Sequence, residues 1–556
     1  MNVETWLASF EAALRNRDIP AVTGLFAAES YWRDLVAFTW NLATVEGRDG
    51  VAALLARTLD GTDPSGFVLT DPPVETGELA EGWFRFRTAA GNGIGHLRLA
   101  GGKAFTLLTT LRELRGFEEV RPDLDRRDTP ADEPYVLVVG GGQGGIALGA
   151  RLRNLGVPTV VAERHDRAGD SWRTRYDSLT LHDPVWNDHL PYLPFPSTWP
   201  VFSGKDRMAD WLESYTRIMD VPYWPGATVR SARYDGGRWT VVVDRGGDEV
   251  VLRPAQLVFA TGLAGKPEVP VLPGQDVFRG DQHHSSAHRA TASYAGKRAV
   301  VVGSNNSAFD IAEALWRAGA DVTMVQRSPT TVVRSATLMD VAIGDLYSEH
   351  AAVPTDRADL TVASLPYRIM HLAHIPRARM MAERDAEFYA RLAKSGFRHD
   401  WGADGSGLVM KSLRRGSGFY VDTGAAELVI DGRIRLAHGQ AGHLTEDALV
   451  LTDGTALPAG LIVYATGYRS MHERVAEIVD RETADRVGRV WGLGSDTPKD
   501  PGPWEGEQRN MWKPTRQPGL WFHGGNLHQS RHYSLYLALQ LKARYEGLET
   551  PVYPPV

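Results

Sequence analysis

The spacing of apolar residues changes character along the chain and divides it. Residues 1–120 open on a helical period, with Trp6, Phe10, Ala13 and Leu14 on one face. Strand-like runs follow at WFRFRT (83–88), IGHLRLA (94–100) and AFTLLTTL (104–111), separated by Gly-rich turns. Helix followed by sheet predicts an α+β domain. The stretch 121–134, RPDLDRRDTPADEP, drops the apolar period, gains Pro and charge, and reads as a linker. Beyond it come short apolar strands that run through a glycine loop into a helix, once at Gly140 and again at Gly303. Each half closes on a strand ending in Ala-Thr-Gly, LVFATG (257–262) and LIVYATG (461–467). Alternating runs at 231–252 predict a three-stranded meander in the first half. The matching meander of the second half is expected in AELVIDGRIRLAHG (426–439) and the strands after it. A helix-rich insertion around 336–410 makes the second half longer.

Composition narrows this picture by exclusion. The 556 residues leave room for three or four domains at about 100–200 residues each. The net charge is −7, with Lys and Arg dispersed, which argues against a nucleic-acid partner. The opening MNVETWLASFEAAL lacks a basic segment followed by an apolar core, and no apolar run approaches about 18 residues. A cytoplasmic protein without a membrane partner is expected. The chain has no cysteine, which excludes thiolate metal sites, cysteine nucleophiles and redox-active cysteine pairs.

The chemistry is carried by the two loops. In VLVVGGGQGGIALGARLRNLG (136–156), Gly140, Gly142 and Gly145 form G-x-G-x-x-G. The first permits a tight turn, the second lets amides approach a pyrophosphate, and the third lets helix pack against strand. Gln143 and Gly144 open the helix, where free amides meet phosphate charge. Glu163, followed by Arg164, stands 23 positions after Gly140, where an acid holds a ribose hydroxyl. The second loop runs Gly303, Ser304, Asn305, Asn306, Ser307, Ala308, with Asn at the second glycine position. Asn tolerates left-handed backbone but narrows the approach to phosphate. Counting 23 from Gly303 reaches Gln326, which carries no charge to repel a 2′-phosphate, and Arg327 and Ser328 follow to bind one. These features predict two Rossmann-like dinucleotide domains in an α/β chain, one for FAD and one for NADPH. The expected bounds are 135–290 for the FAD domain and 291–460 for the NADPH domain, with 461–556 returning to the first.

These residues resemble the class B flavin-dependent monooxygenases, in their flavin-containing and YUCCA-like branches, over roughly 134–545. The resemblance rests on Gly169–Arg173 (GDSWR), Leu181–His182, ATGY at 465–468, and Phe278, Gly280 and His284 of the family fingerprint. His288 stands where the fingerprint has an aromatic, so the Baeyer–Villiger branch stays open. LHDPVWNDHLPYLPFP (181–196), GSGFYVDTG (416–424) and NLHQSRHYSLYLALQLKA (526–543) are similar to a YUCCA-like subgroup with an extra N-terminal domain. That domain resembles an NTF2/SnoaL-like cone, through YWRDLVAFTW (31–40) and LLTTLRELRGFEE (107–119).

The resemblance implies that NADPH reduces FAD, and that a C4a-(hydro)peroxyflavin then transfers one oxygen atom to an amine, a sulfide or an arylpyruvate-like acid. It implies Asn187, His284 and Gln529 as catalytic residues. Ser171, Trp172, His182, Gly525 and Asn526 would contact cofactor, as would the turns Ala260–Thr261–Gly262 and Ala465–Thr466–Gly467. No metal is implied, although His283, His284 and His288 cluster. Trp32, Arg33 and Asp34 either line a cone cavity or serve packing and dimer contacts, and a homodimer is an open expectation. An electron-transfer reductase for a protein partner, and a binding cone on a degenerate flavoprotein, are the competing readings.

Overall fold

The computed structural model describes residues 1–120, 133–289 and 291–554. All but the last two residues of the expected linker at 121–134 therefore lie outside the described residues. The N-terminal part begins with helix Val3–Arg15, capped by Asn2, whose side chain accepts from the Thr5 amide. Its apolar face lies against a seven-stranded sheet. Phe26–Leu35, Leu42–Glu46 and the helix Gly47–Thr62 precede most of that sheet, so the order is mixed rather than helix followed by sheet. Residues 30–35 of the first strand are buried on both faces, which removes the alternation that announces a strand. That strand runs parallel to Lys103–Leu114, a pairing no hairpin turn signals.

Aromatic rings pack between this sheet and the N-terminal helix. Phe10, Phe26, Trp32 and Phe38 meet at centroid distances of 5.0–6.3 Å. Trp32 Nε1 donates to Thr109 Oγ1 at 2.8 Å. Asp34 accepts from Thr109 Oγ1 at 2.6 Å and from Thr39 Oγ1 at 2.7 Å, and burial pushes its pKa up to about 6. Trp32 and Asp34 are packing residues, buried among these rings and hydroxyls.

The rest of the chain builds two five-stranded parallel sheets. The first has the order Tyr223–Trp224, Thr159–Ala162, Val136–Val139, Gln256–Phe259, Leu520–Phe522. The second has Asp281–His284, Leu461–Tyr464, Arg298–Val302, Asp321–Gln326, Arg435–His438. Sheet membership departs from the expected bounds at 290 and 460. Asp281–His284 and Leu461–Tyr464 pair with each other inside the second sheet, and the first sheet regains the chain at Leu520. The second meander is also displaced. Ala425–Ile430 is a helix, whose amides at Gly424 and Ala426 are capped by Asp422, and Arg435–His438 is a strand of the second sheet. The meander itself is Ala441–Leu444, Ala448–Leu451 and Ala456–Pro458.

Both sheets meet their glycine loop in the same way. A Cβ at Gly140 would stand 2.6 Å from the Ala260 carbonyl oxygen, and one at Gly303 would stand 2.4 Å from that of Ala465. Both glycines have positive φ, +107° and +135°. This contact is the physical content of the recurring pair of glycine loop and Ala-Thr-Gly turn. No described helix is long and apolar enough to cross a membrane.

Candidate functional site

The first site forms where strand Val136–Val139 enters helix Gln143–Asn154. Gly142 caps that helix without a side chain, so its first amides are left for an anion. Gly145 lets the helix pack close to loop and strand, since a Cβ there would stand 2.0 Å from the Gly140 carbonyl oxygen and 3.4 Å from Val161 Cγ1. Ser171 faces the loop: a Cβ at Gly142 would lie 3.6 Å from its hydroxyl, which is buried without a partner. Trp172 Nε1 donates to Gln143 Oε1 at 3.2 Å. Glu163 accepts from the amides of Gly141 (2.7 Å) and His165 (3.0 Å), and its carboxylate meets His165 Nδ1 at 2.5 Å. Burial raises its pKa, but these hydrogen bonds outweigh burial and hold it below the ordinary value. An ionised acceptor therefore sits at the strand end, with Arg164 exposed beside it. Tyr223, whose hydroxyl donates to the Gly141 carbonyl at 3.1 Å, has no motif that would have singled it out.

The long helix Leu527–Tyr545 closes this site. Gln143 Nε2 donates to the Gly525 carbonyl at 3.4 Å, and a Cβ at Gly144 would lie 3.3 Å from Gly524 Cα. Asn526 and Gln529 form a reciprocal capping box at 2.9 and 3.0 Å. Gln529 thereby caps the helix with its Oε1, a use different from the catalytic one expected of it. Asn187, on the short helix Val185–Asp188, is buried and its Oδ1 is without a partner, so it makes no Asx turn. Thr261 Oγ1 is also buried without a partner, and the His523 ring is buried against the Gly144 main chain. Burial depresses the His523 pKa to about 3, leaving a neutral imidazole. Such a set of orphaned polar atoms on the segments around one glycine loop fits a large polar ligand that completes their hydrogen bonds.

At the second loop, Asn305 is extended (φ −105°), so this position needs no left-handed backbone. It caps helix Asn306–Arg317 without a side-chain bond, and its Oδ1 accepts from Thr330 Oγ1 at 3.4 Å, which turns it off the helix end. Ser304 Oγ bonds Thr330 Oγ1 at 2.8 Å, and Asn306 Oδ1 accepts from the Val421 amide at 3.0 Å. Ser307 is half-buried in the first helical turn. Gln326 is fully buried and bonds both main-chain groups of Arg398, donating at 2.9 Å and accepting at 2.8 Å. Its amide is an internal clamp. A carboxylate could not donate to the Arg398 carbonyl, which gives a packing reason for Gln beyond its neutrality toward phosphate. Arg327 and Ser328 are exposed at the strand end. Lys499 faces the same edge: burial, then the charges of Arg415, Arg327 and Lys411, lower its pKa. Lys411 is held by Asp400, with which it forms an ion pair, so the positive field felt at Lys499 has Arg327 as its exposed member.

His182 and His284 lie between the two sites. His182 Nε2 is 3.6 Å from Asp310 Oδ2 on the second glycine-loop helix, so it ties the halves together instead of facing the first loop. His284 is a latch. Its Nδ1 accepts from the Ser286 amide at 3.1 Å and its Nε2 donates to the Gly467 carbonyl at 3.0 Å. Burial lowers its pKa, and with both nitrogens committed it joins the fingerprint strand to the Ala465–Gly467 turn instead of moving a proton. Thr466 Oγ1 in that turn donates to the Glu268 carbonyl at 2.5 Å. His283 Nε2 bonds His288 Nδ1 at 3.0 Å, so that pair is turned inward on itself.

Residues 137–342 match the family model described as pyridine nucleotide-disulphide oxidoreductase. The chain is 32% identical over 354 residues to the rice (Oryza sativa subsp. japonica) indole-3-pyruvate monooxygenase YUCCA1, covering 63% of this chain and 80% of that one. The chain belongs to the flavin-dependent monooxygenases. Among solved structures, a flavin monooxygenase from Stenotrophomonas maltophilia shares its fold at TM-score 0.50 and 18% identity, over 74% of this chain and 99% of that one. A cyclohexanone monooxygenase from Rhodococcus sp. Phi1 with NADP+ bound does so at TM-score 0.51 and 18% identity, over 74% and 84%. As a flavin-dependent monooxygenase the chain uses FAD and NADPH with dioxygen to oxygenate a small molecule. FAD, when bound, accepts a hydride from NADPH and supplies electrons to dioxygen. The residues supply the rest. Free amides at both glycine loops could hold phosphate, Glu163 offers an ionised acceptor, and the dipole of the closing helix favours negative charge at its Asn526 end.

Proposed function

We propose that this monooxygenase oxygenates an arylpyruvate-like acid, with Glu163 on the FAD ribose, Ser171 and the Gly142–Gly144 amides on the pyrophosphate, and Arg327 with Lys499 on the NADPH 2′-phosphate. The observation that carries the substrate reading is the likeness to indole-3-pyruvate monooxygenases, which extends over 354 residues at 32% identity in the rice enzyme. Asn187, with its unpartnered buried Oδ1, is the side chain proposed to meet flavin or substrate. The N-terminal sheet wrapped on helix Val3–Arg15 supports an NTF2-like reading of that domain.

A second reading has its own observation. Asp183 and Asp188, beside the closing helix, both have raised pKa values: burial is the first cause for each, and Asp183 adds repulsion at Asp188. A cationic amine bound beside them would relieve that repulsion and favour their ionised form, which an acid substrate would not.

Purified holoenzyme supplied with NADPH in air separates the two. An arylpyruvate that raises NADPH oxidation with little free peroxide supports the first reading. Stimulation by aromatic amines alone moves the assignment to the second, and full conversion of NADPH to peroxide with both classes removes both. For the coenzyme, Arg327→Ala should cut the kcat/KM preference for NADPH over NADH by about 10- to 100-fold, the worth of one charge-assisted contact. A preference that survives unchanged refutes the 2′-phosphate assignment.

A further inference from the structure

Arg531, in the second turn of the closing helix, is 2% exposed, and so is almost all of its partner Asp359, at 3%. Its Nε and Nη2 form a bidentate pair with the Asp359 carboxylate at 2.9 and 2.7 Å. Its Nη1 donates to two main-chain carbonyls, those of Asn187 at 2.6 Å and His189 at 2.7 Å. Asp359 lies on helix Thr355–Ala363 of the insertion and also accepts from the Tyr347 hydroxyl at 2.8 Å. An ion pair this deep gains little over two apolar side chains of the same size, because both charges must leave water. A geometric task accounts for it better. Val185–Asp188 is a helix of one turn without a side-chain cap, and it passes straight into extended backbone at His189. The carbonyls at such an end have no helical partners. The planar guanidinium satisfies two of them while the carboxylate fixes its plane, a division of donors that a lysine ammonium on a flexible stem cannot match.

The geometry points to Arg531 as a positioning residue. Locked by Asp359, it fixes the Asn187–His189 turn, so that the Asn187 amide is presented to the flavin side of the site. This rests on the reading in which Asn187 meets flavin or substrate. Three elements distant in sequence join at this one guanidinium: the Asn187 turn, the insertion helix and the closing helix. None of the residues assigned to the phosphates is involved.

The test uses the full chain, as Arg531→Lys, Arg531→Met/Asp359→Leu, and Asn187→Ala. The apolar double variant removes both charges together and so keeps the fold intact where a single truncation would strand one of them. Amide hydrogen exchange over 185–190, measured with and without FAD, should accelerate at least about tenfold in both Arg531 variants, with 140–150 unchanged. The fraction of NADPH electrons lost to peroxide should rise several-fold in the same variants, with KM for NADPH unaltered. Exchange over 185–190 equal to the parent in both variants overturns the proposal, as does full recovery of coupling by lysine, which would show that charge alone suffices. Should the segment loosen as expected while Asn187→Ala stays as tightly coupled as the parent, the role given to Asn187 is what fails.

Discussion

One imidazole links the two nucleotide-binding halves. His182 meets Asp310, which also accepts from the Tyr176 hydroxyl at 2.7 Å, and Asn306 and Asp183 flank the ring. Burial works against the imidazolium, but Asp310 outweighs it, and the pKa is raised above its ordinary value. A group with a raised folded pKa contributes stability that is complete below its unfolded pKa of about 6.5 and is lost as pH climbs through the folded value. The thermal midpoint of His182→Gln should therefore fall furthest below the parent near about pH 6, and the gap should close toward about pH 9. A gap constant over that range would show that the pair is not ionised. At this scale the sequence named residues better than it named their work. Glycine and acid positions are legible because a dinucleotide needs them at fixed offsets. His284, Gln529 and Gln326 were visible as residue types, but their partners — the carbonyl of Gly467, the Asn526 amide, the main chain of Arg398 — are set by tertiary packing that no local spacing encodes.

The closing helix Leu527–Tyr545 has no apolar stripe, because it is buried nearly all round. Its legible signal was the N-terminal punctuation, Gly-Gly-Asn with Gln three residues on, which the structure realises as a capping box. Asn526→Ala should cost about 1 kcal/mol in urea unfolding, the usual worth of such a cap. It should cost more with FAD bound if the freed helix end also meets the flavin. Equal losses with and without FAD would confine Asn526 to capping. Elements without such punctuation were the ones misplaced. AELVI is apolar in a way that suits strand or helix, and the Asp422 cap decides it. Asp281–His284 is too short and polar to announce a strand, and only its pairing with Leu461–Tyr464 makes it one.

Across the whole molecule, the N-terminal domain is bolted to the flavoprotein by polar contacts. Arg33 is 1% exposed and pairs bidentately with Glu507 at 2.7 Å in both bonds. It also donates to the Ala363 carbonyl and the Tyr533 hydroxyl, and lies 4.6 Å from the Tyr367 ring centroid. Arg98 grips Ser364, and Arg357 lies over Trp83 while pairing with Asp71. These contacts hold the start of the helical insertion, including the helix that carries Asp359. Arg33→Met alone should destabilise the protein by about 3–5 kcal/mol, since Glu507 is left charged and buried, whereas Arg33→Met with Glu507→Leu should recover most of that loss in chemical denaturation. Equal losses in the two variants would mean that shape, and not charge, sets this contact. The sequence left Arg33 between cavity lining and packing or dimer contacts; its partner 474 residues on is set by tertiary packing that no local pattern encodes.

The distance along the chain between these two partners has a further effect, on the ribosome. Glu507 lies 474 residues after Arg33, so at about 5–20 residues per second Arg33 emerges roughly 25–95 s before the carboxylate that will neutralise it exists. Throughout that interval the N-terminal sheet carries an unpaired guanidinium on a bare docking face. The docking face is therefore completed only once synthesis has passed through the flavin domain as far as Glu507.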